Sequence, residues 1–79
     1  MDYAAYFTRD PAFCGGETVL RGTRVLLRVV LADLSDGATE EQILRDYPSL
    51  SPEHVRAAIA FAAASAREDM PIAALTGSE

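Results

Sequence analysis

A chain of 79 residues with 49% hydrophobic and 24% charged side chains is a single domain that folds, since a disordered chain is poorer in Leu, Val and Ile. Its core is thin, because a chain this short buries only about 60 to 65% of the surface its unfolded form exposes, so self-association or a partner is expected. The formal net charge of -5 weighs against general polyanion binding, and the apolar runs LLRVVLADL and AAIAFAAASA fall short of the roughly 20 residues of a bilayer span; with no secretion signal at its start, the protein is expected in the cytoplasm, away from membranes.

Residues 1–16 read as an N-terminal strand and loop. Ala5 to Thr8 have strand character, and Asp10-Pro11 and Gly15-Gly16 mark turns. Cys14 is the sole cysteine, so no disulfide closes within the chain, and with His54 as the sole histidine it does not make a four-ligand zinc site. A Cys14–His54 catalytic pair would join opposite ends of the fold, and no set of nucleophile, base and oxyanion donors is recognisable, so no enzyme is expected.

Residues 17–67 hold a β-hairpin and three helices. Thr18, Val19 and Leu20 lead into a turn, Gly22-Thr23 suit the centre of a type II′ turn, and Val25 and Leu26 lead out. That register sets Leu20 opposite Val25, Val19 opposite Leu26, and Arg21 opposite Arg24. The window from Thr18 to Ala32 carries three arginines, Arg21, Arg24 and Arg28, and no acid, whereas residues 33–54 sum to -5. Like charges opposed on a hairpin are destabilising by a few tenths to about 1 kcal/mol, so an anion is expected beside them: an acid of the same fold such as Asp10, Glu17 or Asp33, a phosphate backbone, or an acidic patch on a partner.

Leu27, Val30, Leu31 and Leu34 fall at i, i+3, i+4, i+7, which predicts a helix from Leu27 to Asp36 stopped by Gly37. Thr39 with Gln42 forms a capping box for a short helix from Glu40 to Asp46, anchored by Ile43, Leu44 and Tyr47 and ended by Pro48. The acids Glu40, Glu41 and Asp46 match helix-start chemistry and a solvated face rather than a metal site. Ser51-Pro52-Glu53 begins a third helix running to about Arg67. Val55, Ile59, Ala62, Ala63 and Ala66 form its core stripe, which leaves Ala57, Ala60, Phe61 and Ala64 as a second contact surface. Residues 68–79 are a tail holding Met70, Ile72 and Leu75 with no helix start of its own, either frayed or an arm that orders on a partner.

The fold class is therefore mostly α, a trihelical helix-turn-helix core preceded by a short N-terminal β-strand and hairpin. A recognition helix starting at Ser51 would turn Glu53, His54, Arg56 and Ala57 toward a groove, a surface poor in positive charge. His54 also suits a local cap. No phosphate-loop spacing is present, so the glycines serve turns.

The segments DPAFCGGETVLRGTRVLL and DGATEEQILRDYPSLSPEHVRAAIAFAA resemble the domain-of-unknown-function 433 family over residues 10–64. Asp-Pro, Cys-Gly-Gly, Arg-Gly-Thr-Arg and Tyr-Pro-x-Leu occur in the family's order, while Glu17-Thr18 departs from the Lys-Pro-like pair common there. The resemblance implies a homeodomain-like protein similar to VapB-type antitoxins, encoded beside a PIN-like ribonuclease toxin. On that reading the protein is a dimeric, non-enzymatic antitoxin that neutralises its toxin and represses its own operon; the alternative is an interaction module with a helix-turn-helix shape that binds no DNA. The DNA or anion contacts are then expected at Arg21, Arg24, Arg28, Arg45, Ser51, His54 and Arg56, and the partner or dimer interface at Ala57, Ala60, Phe61, Ala64, Met70, Ile72 and Leu75. No cofactor, metal or small-molecule substrate is expected.

Overall fold

The computed structural model describes residues 1–69, and the expected interface residues Met70, Ile72 and Leu75 lie outside them. A 3-10 turn at Tyr3–Tyr6 leads into strand β1, Phe7–Arg9, which pairs antiparallel with β2, Thr18–Leu20. Three helices follow: α1 Leu27–Ser35, α2 Glu40–Asp46 and α3 Pro52–Asp69. The architecture is mostly helical, with the three helices in helix-turn-helix order and the small sheet at their N-terminal side. No helix among the described residues is long and apolar enough to cross a membrane.

Local chemistry sets the helix ends. α1 closes through a pair of bonds, Gly37 N–H to Leu34 O at 3.1 Å and Ala38 N–H to Asp33 O at 3.0 Å. These are the two bonds of a Schellman stop, and the φ of +94° at Gly37 is the left-handed conformation that the stop requires. α2 opens on the expected capping box, with Gln42 N–H donating to Thr39 Oγ1 at 3.1 Å and Thr39 N–H to Gln42 Oε1 at 2.8 Å. Its last backbone bond, Tyr47 N–H to Ile43 O, precedes Pro48. α3 continues two residues past the expected end at Arg67.

The hairpin differs from its expected form. Its register survives, with a bridge between Val19 and Leu26 and a bond from Leu20 N–H to Val25 O. The principal partner of β2, however, is β1, through the pairs Phe7 with Leu20, Thr8 with Val19, and Arg9 with Thr18. The turn also sits one residue earlier than expected: Thr23 N–H donates to Leu20 O, so Arg21 and Gly22 occupy its centre. Gly22 has φ +81°, which belongs at the third position of a type II turn. A glycine in that region fits the second position of a type II′ turn equally well, which is why sequence alone misplaced it.

The core is one cluster of Leu20, Leu27, Val30, Ile43, Leu50, Val55 and Ala58, with Phe7, Leu31, Leu34, Tyr47 and Phe61 half-buried around it. Every helix and β2 contributes to it. The orientation of α3 corrects the expected faces. Ala57, Phe61 and Ala64, assigned to an external interface, turn inward; Ala57 and Ala64 are buried, and Ala60 is half-buried. Ile59, Ala63 and Ala66, assigned to the core, point to solvent, with Ile59 47% exposed. The N-terminal segment supplies the cover. The Phe61 ring meets Tyr3 at 5.8 Å and Phe7 at 5.7 Å, both edge-on, and Tyr3 lies 5.9 Å from Phe7. Such tilted contacts contribute about 0.5–1.5 kcal/mol each beyond the area they bury.

The two faces of α3 should respond oppositely to substitution. Phe61→Ala is expected to cost about 2–4 kcal/mol, because it opens the aromatic cluster, whereas Ile59→Lys should stay within about 0.5 kcal/mol of the parent. Urea unfolding followed by circular dichroism measures both.

Candidate functional site

The three arginines of the acid-free window part company in the fold. Arg21 turns back on the N-terminal segment, donating from Nε to Ala5 O at 2.8 Å and from Nη2 to Phe7 O at 2.9 Å. Arg24 lies over the Phe13 ring, 5.1 Å from its centroid. Arg28 reaches Glu17, with Nε 3.0 Å from each carboxylate oxygen. The expected opposition of Arg21 and Arg24 is thus absent, because the earlier turn sends one side chain to β1 and the other to Phe13. The acid anticipated within the fold is Glu17, and it serves Arg28 alone.

The other expected contacts are engaged as well. Arg45 pairs with Glu41 one helical turn earlier at 3.2 Å, and Arg56 of α3 pairs with Glu40 of α2 at 3.5 Å. Both pairs are solvent-exposed, a class whose typical contribution is about 0–1 kcal/mol, so they open readily to a competing anion. Arg9 donates to Gly16 O at 2.7 Å and holds the Cys14–Gly16 turn against β1.

His54 joins two elements rather than facing a groove. Ser51 N–H donates to its Nδ1 at 3.0 Å, and its Nε2 lies 3.0 Å from Arg21 O. Its partners set the roles of the two ring nitrogens, Nδ1 accepting from Ser51 N–H and Nε2 facing the Arg21 carbonyl as a donor. Ser51 Oγ lies 3.4 Å from His54 N. Ser51 and His54 therefore form a capping box with histidine in the place of the usual Glu or Gln. The Tyr6 ring stands edge-on to the imidazole at 6.1 Å. Both ring nitrogens of His54 are thus engaged within the chain. Among the described residues no group of three His, Cys, Asp or Glu side chains is placed to hold a metal ion.

Three open grooves flank this framework. One, between the Cys14–Gly16 turn, α1 and α3, has Leu27, Leu31 and Phe61 as its floor and Arg9, Glu17 and Arg28 at its rim. A second, at the turn between α1 and α2, is acidic, with Asp33, Asp36 and Asp46 around Arg45 and Tyr47. The third is lined by Thr8, Phe13, Val19 and Arg24 and reaches Ser49 in the turn before α3. In the second groove the Tyr47 phenol is raised above its ordinary value of 10.0, first by desolvation and then by the charge of Asp33 and a hydrogen bond to it, with a further contribution from Asp46.

The model of the family described as a protein of unknown function, DUF433, matches residues 8–62, from β1 through most of α3. The chain belongs to the DUF433 family. A relative, the uncharacterized protein y4eO of Sinorhizobium fredii (strain NBRC 101917 / NGR234), is 40% identical over 58 residues. That alignment covers 73% of this chain and 26% of the relative, so the chain spans about a quarter of that protein's length. No solved structure matches. The DUF433 match takes in Arg9, Arg21, Arg24 and Arg28 with the Gly16, Phe13 and Glu17 partners of Arg9, Arg24 and Arg28, while the Ala5 and Phe7 carbonyls held by Arg21 precede it.

Sequence reasoning missed Phe13, Thr8 and Ser49 as neighbours of Arg24. None follows from a periodic pattern; they meet only because β1, the turn and the α2–α3 connection converge. His54 as a cap left a local signal, the spacing Ser-x-x-His at a helix start.

Two measurements check this DUF433 framework. Arg21→Ala should lower stability by about 1–2 kcal/mol, a fall of roughly 5–10 °C in Tm for a domain this small, while Arg24→Ala, which breaks no carbonyl contact, should leave Tm within about 2 °C; differential scanning calorimetry reads both. Tyr47 supplies the second. A phenol raised above its unfolded value of 10.0 contributes stability that is present below that pH and is lost as pH climbs through the folded value. The Tm of the parent should therefore fall relative to Tyr47→Phe above pH 10, with no such divergence at neutral pH.

Proposed function

We propose that this DUF433 domain is a non-catalytic binding module whose acidic α1–α2 surface engages a basic protein partner, the role of an antitoxin toward a PIN-like ribonuclease. The supporting observation is the distribution of charge after folding. Arg21 and Arg28 are drawn into contacts with their own chain, whereas Asp36, Glu41 and Asp46 remain exposed with Arg45 as the cation beside them. A protein that holds RNA presents cationic surface to the phosphates, and an acidic face complements it, steering encounter and disfavouring wrong partners.

Operator binding is a second reading, supported by the helix-turn-helix order and by the outward face of α3, which carries Arg56 and Arg67. A phosphate backbone would have to displace Glu40 from Arg56 and Glu41 from Arg45. Self-association through the exposed Ile59, Ala63 and Ala66 is part of the same reading, since a two-fold dimer doubles the cations available to a duplex.

Co-expression with the protein encoded by the neighbouring gene, followed by calorimetric titration, tests the proposal. A stable complex is expected, its Kd rising about tenfold or more in Asp36→Lys with Asp46→Lys. A complex indifferent to that double reversal would overturn the acidic-face reading. Fluorescence anisotropy on the upstream promoter addresses the second reading: a log–log salt slope of roughly -4 to -7 would support it, and affinity equal to that for random duplex would retire it.

A further inference from the structure

We propose that the groove between β1, the Arg21–Val25 turn and the α2–α3 connection is a phosphate site centred on Arg24. The groove is open to solvent, with a volume of about 560 Å³, in the size range of small-ligand sites. The groove beside α1 contains Glu17, and the one between α1 and α2 contains Asp33, Asp36 and Asp46. Here no acidic side chain lines the wall among the described residues. Of the three arginines in the acid-free window, Arg24 is the one with neither a carbonyl nor a carboxylate contact among those residues.

The donors are arranged for a tetrahedral oxyanion. One face of the Arg24 guanidinium rests on the half-buried Phe13 ring. That contact orients the planar fork and leaves its N–H edge for a ligand. The bonds inside the turn run from Thr23 N–H to Leu20 O, from Leu20 N–H to Val25 O, and from Val25 N–H to Thr23 Oγ1. They leave the N–H groups of Gly22 and Arg24 unused within the turn. Gly22 lines the groove, and a Cβ built on it would meet nothing within 4 Å, so the space beside its Cα is open. Thr23 is committed twice, its hydroxyl donating to Leu20 O at 2.7 Å and accepting from Val25 N–H; Thr8 and Ser49 also line the groove, and their hydroxyls are the further donors available to a ligand there. A planar fork, two hydroxyls and backbone amides exceed what one carboxylate can accept but suit the oxygens of a phosphate.

The phosphate has two sources, a free or small-molecule phosphate and the backbone of a nucleic acid. The site stands independently of the antitoxin reading and of any partner protein. Its test is a heteronuclear NMR titration of the full chain with inorganic phosphate, and separately with a short duplex, at constant ionic strength set by chloride. Saturable shifts are expected at the amides of Gly22, Thr23, Arg24 and Ser49. Arg24→Ala should raise the Kd about tenfold or more, and Thr8→Val or Ser49→Ala about threefold, with unchanged spectra elsewhere showing an intact fold. Arg24→Lys should fall between parent and alanine, because it keeps the charge and loses the fork. Arg28→Ala, at a separate groove, should leave the Kd as it was. Tighter saturation by duplex than by inorganic phosphate, lost in Arg24→Ala, identifies the nucleic-acid backbone as the source; equal or weaker saturation by duplex identifies the small phosphate. Shifts that persist in Arg24→Ala, or that fail to saturate with either ligand, overturn the proposal.

Discussion

Arg21 is the residue through which three parts of the chain are tied together. Its N–H donates to Tyr6 O at 2.7 Å, its guanidinium holds Ala5 O and Phe7 O, and its own carbonyl meets His54 Nε2. Backbone donor, backbone acceptor and side chain each serve a different bond. The N-terminal segment, the turn and the start of α3 are positioned relative to one another by this one residue. The contacts of Tyr3 and Phe7 with Phe61 depend on that alignment, because they require β1 and α3 to approach at the right height.

This placement explains how an acidic protein carries a basic segment without a basic face. A guanidinium offers five donors in a planar fork and tolerates contact with aromatic rings. Chain carbonyls, a carboxylate and a phenyl ring accordingly take one arginine each, and the three side chains diverge. The turn's register decides the divergence. With Gly22 in the third position, Arg21 and Arg24 are no longer cross-strand neighbours, and the repulsion between them does not arise. Arg24 is left beside hydroxyl and amide donors, while the acids gather along α1 and α2. An acidic surface and one arginine-centred groove thus sit on one small domain.

Much of the fold was legible because helix ends are written in local chemistry. Thr39 with Gln42, Gly37, and Ser51 with Pro52 each specify a boundary within four residues, and all three stand where the sequence placed them. What remained hidden was long-range. Alanine looks the same on every face of α3, so the apolar pattern could not say which stripe the N-terminal segment would cover. Read as a separate strand and loop, residues 1–16 left Phe61 without an intrachain partner in that reading. The strand pairing of Phe7 with Leu20 likewise joins segments 13 positions apart, beyond the reach of a hairpin rule. The candidate site was legible only in part. The arginines were singled out, but their partners come from elements far away in the chain, and the capping histidine was visible only as one option among several.

The edge-on contact between Tyr3 and Phe61 joins positions 58 apart in a chain of 79. Closing so long a loop costs chain entropy before the contact returns any of it, so such pairings form late. During synthesis Tyr3 and Phe7 leave the ribosome before the helix that receives them, because they precede it in the chain. Until α3 is complete, Tyr3 and Phe7 have no aromatic partner in Phe61, and the buried flank of α3 has no lid. The N-terminal turn and the buried flank of α3 thus complete one another, and the aromatic cluster between them waits on this long-range closure.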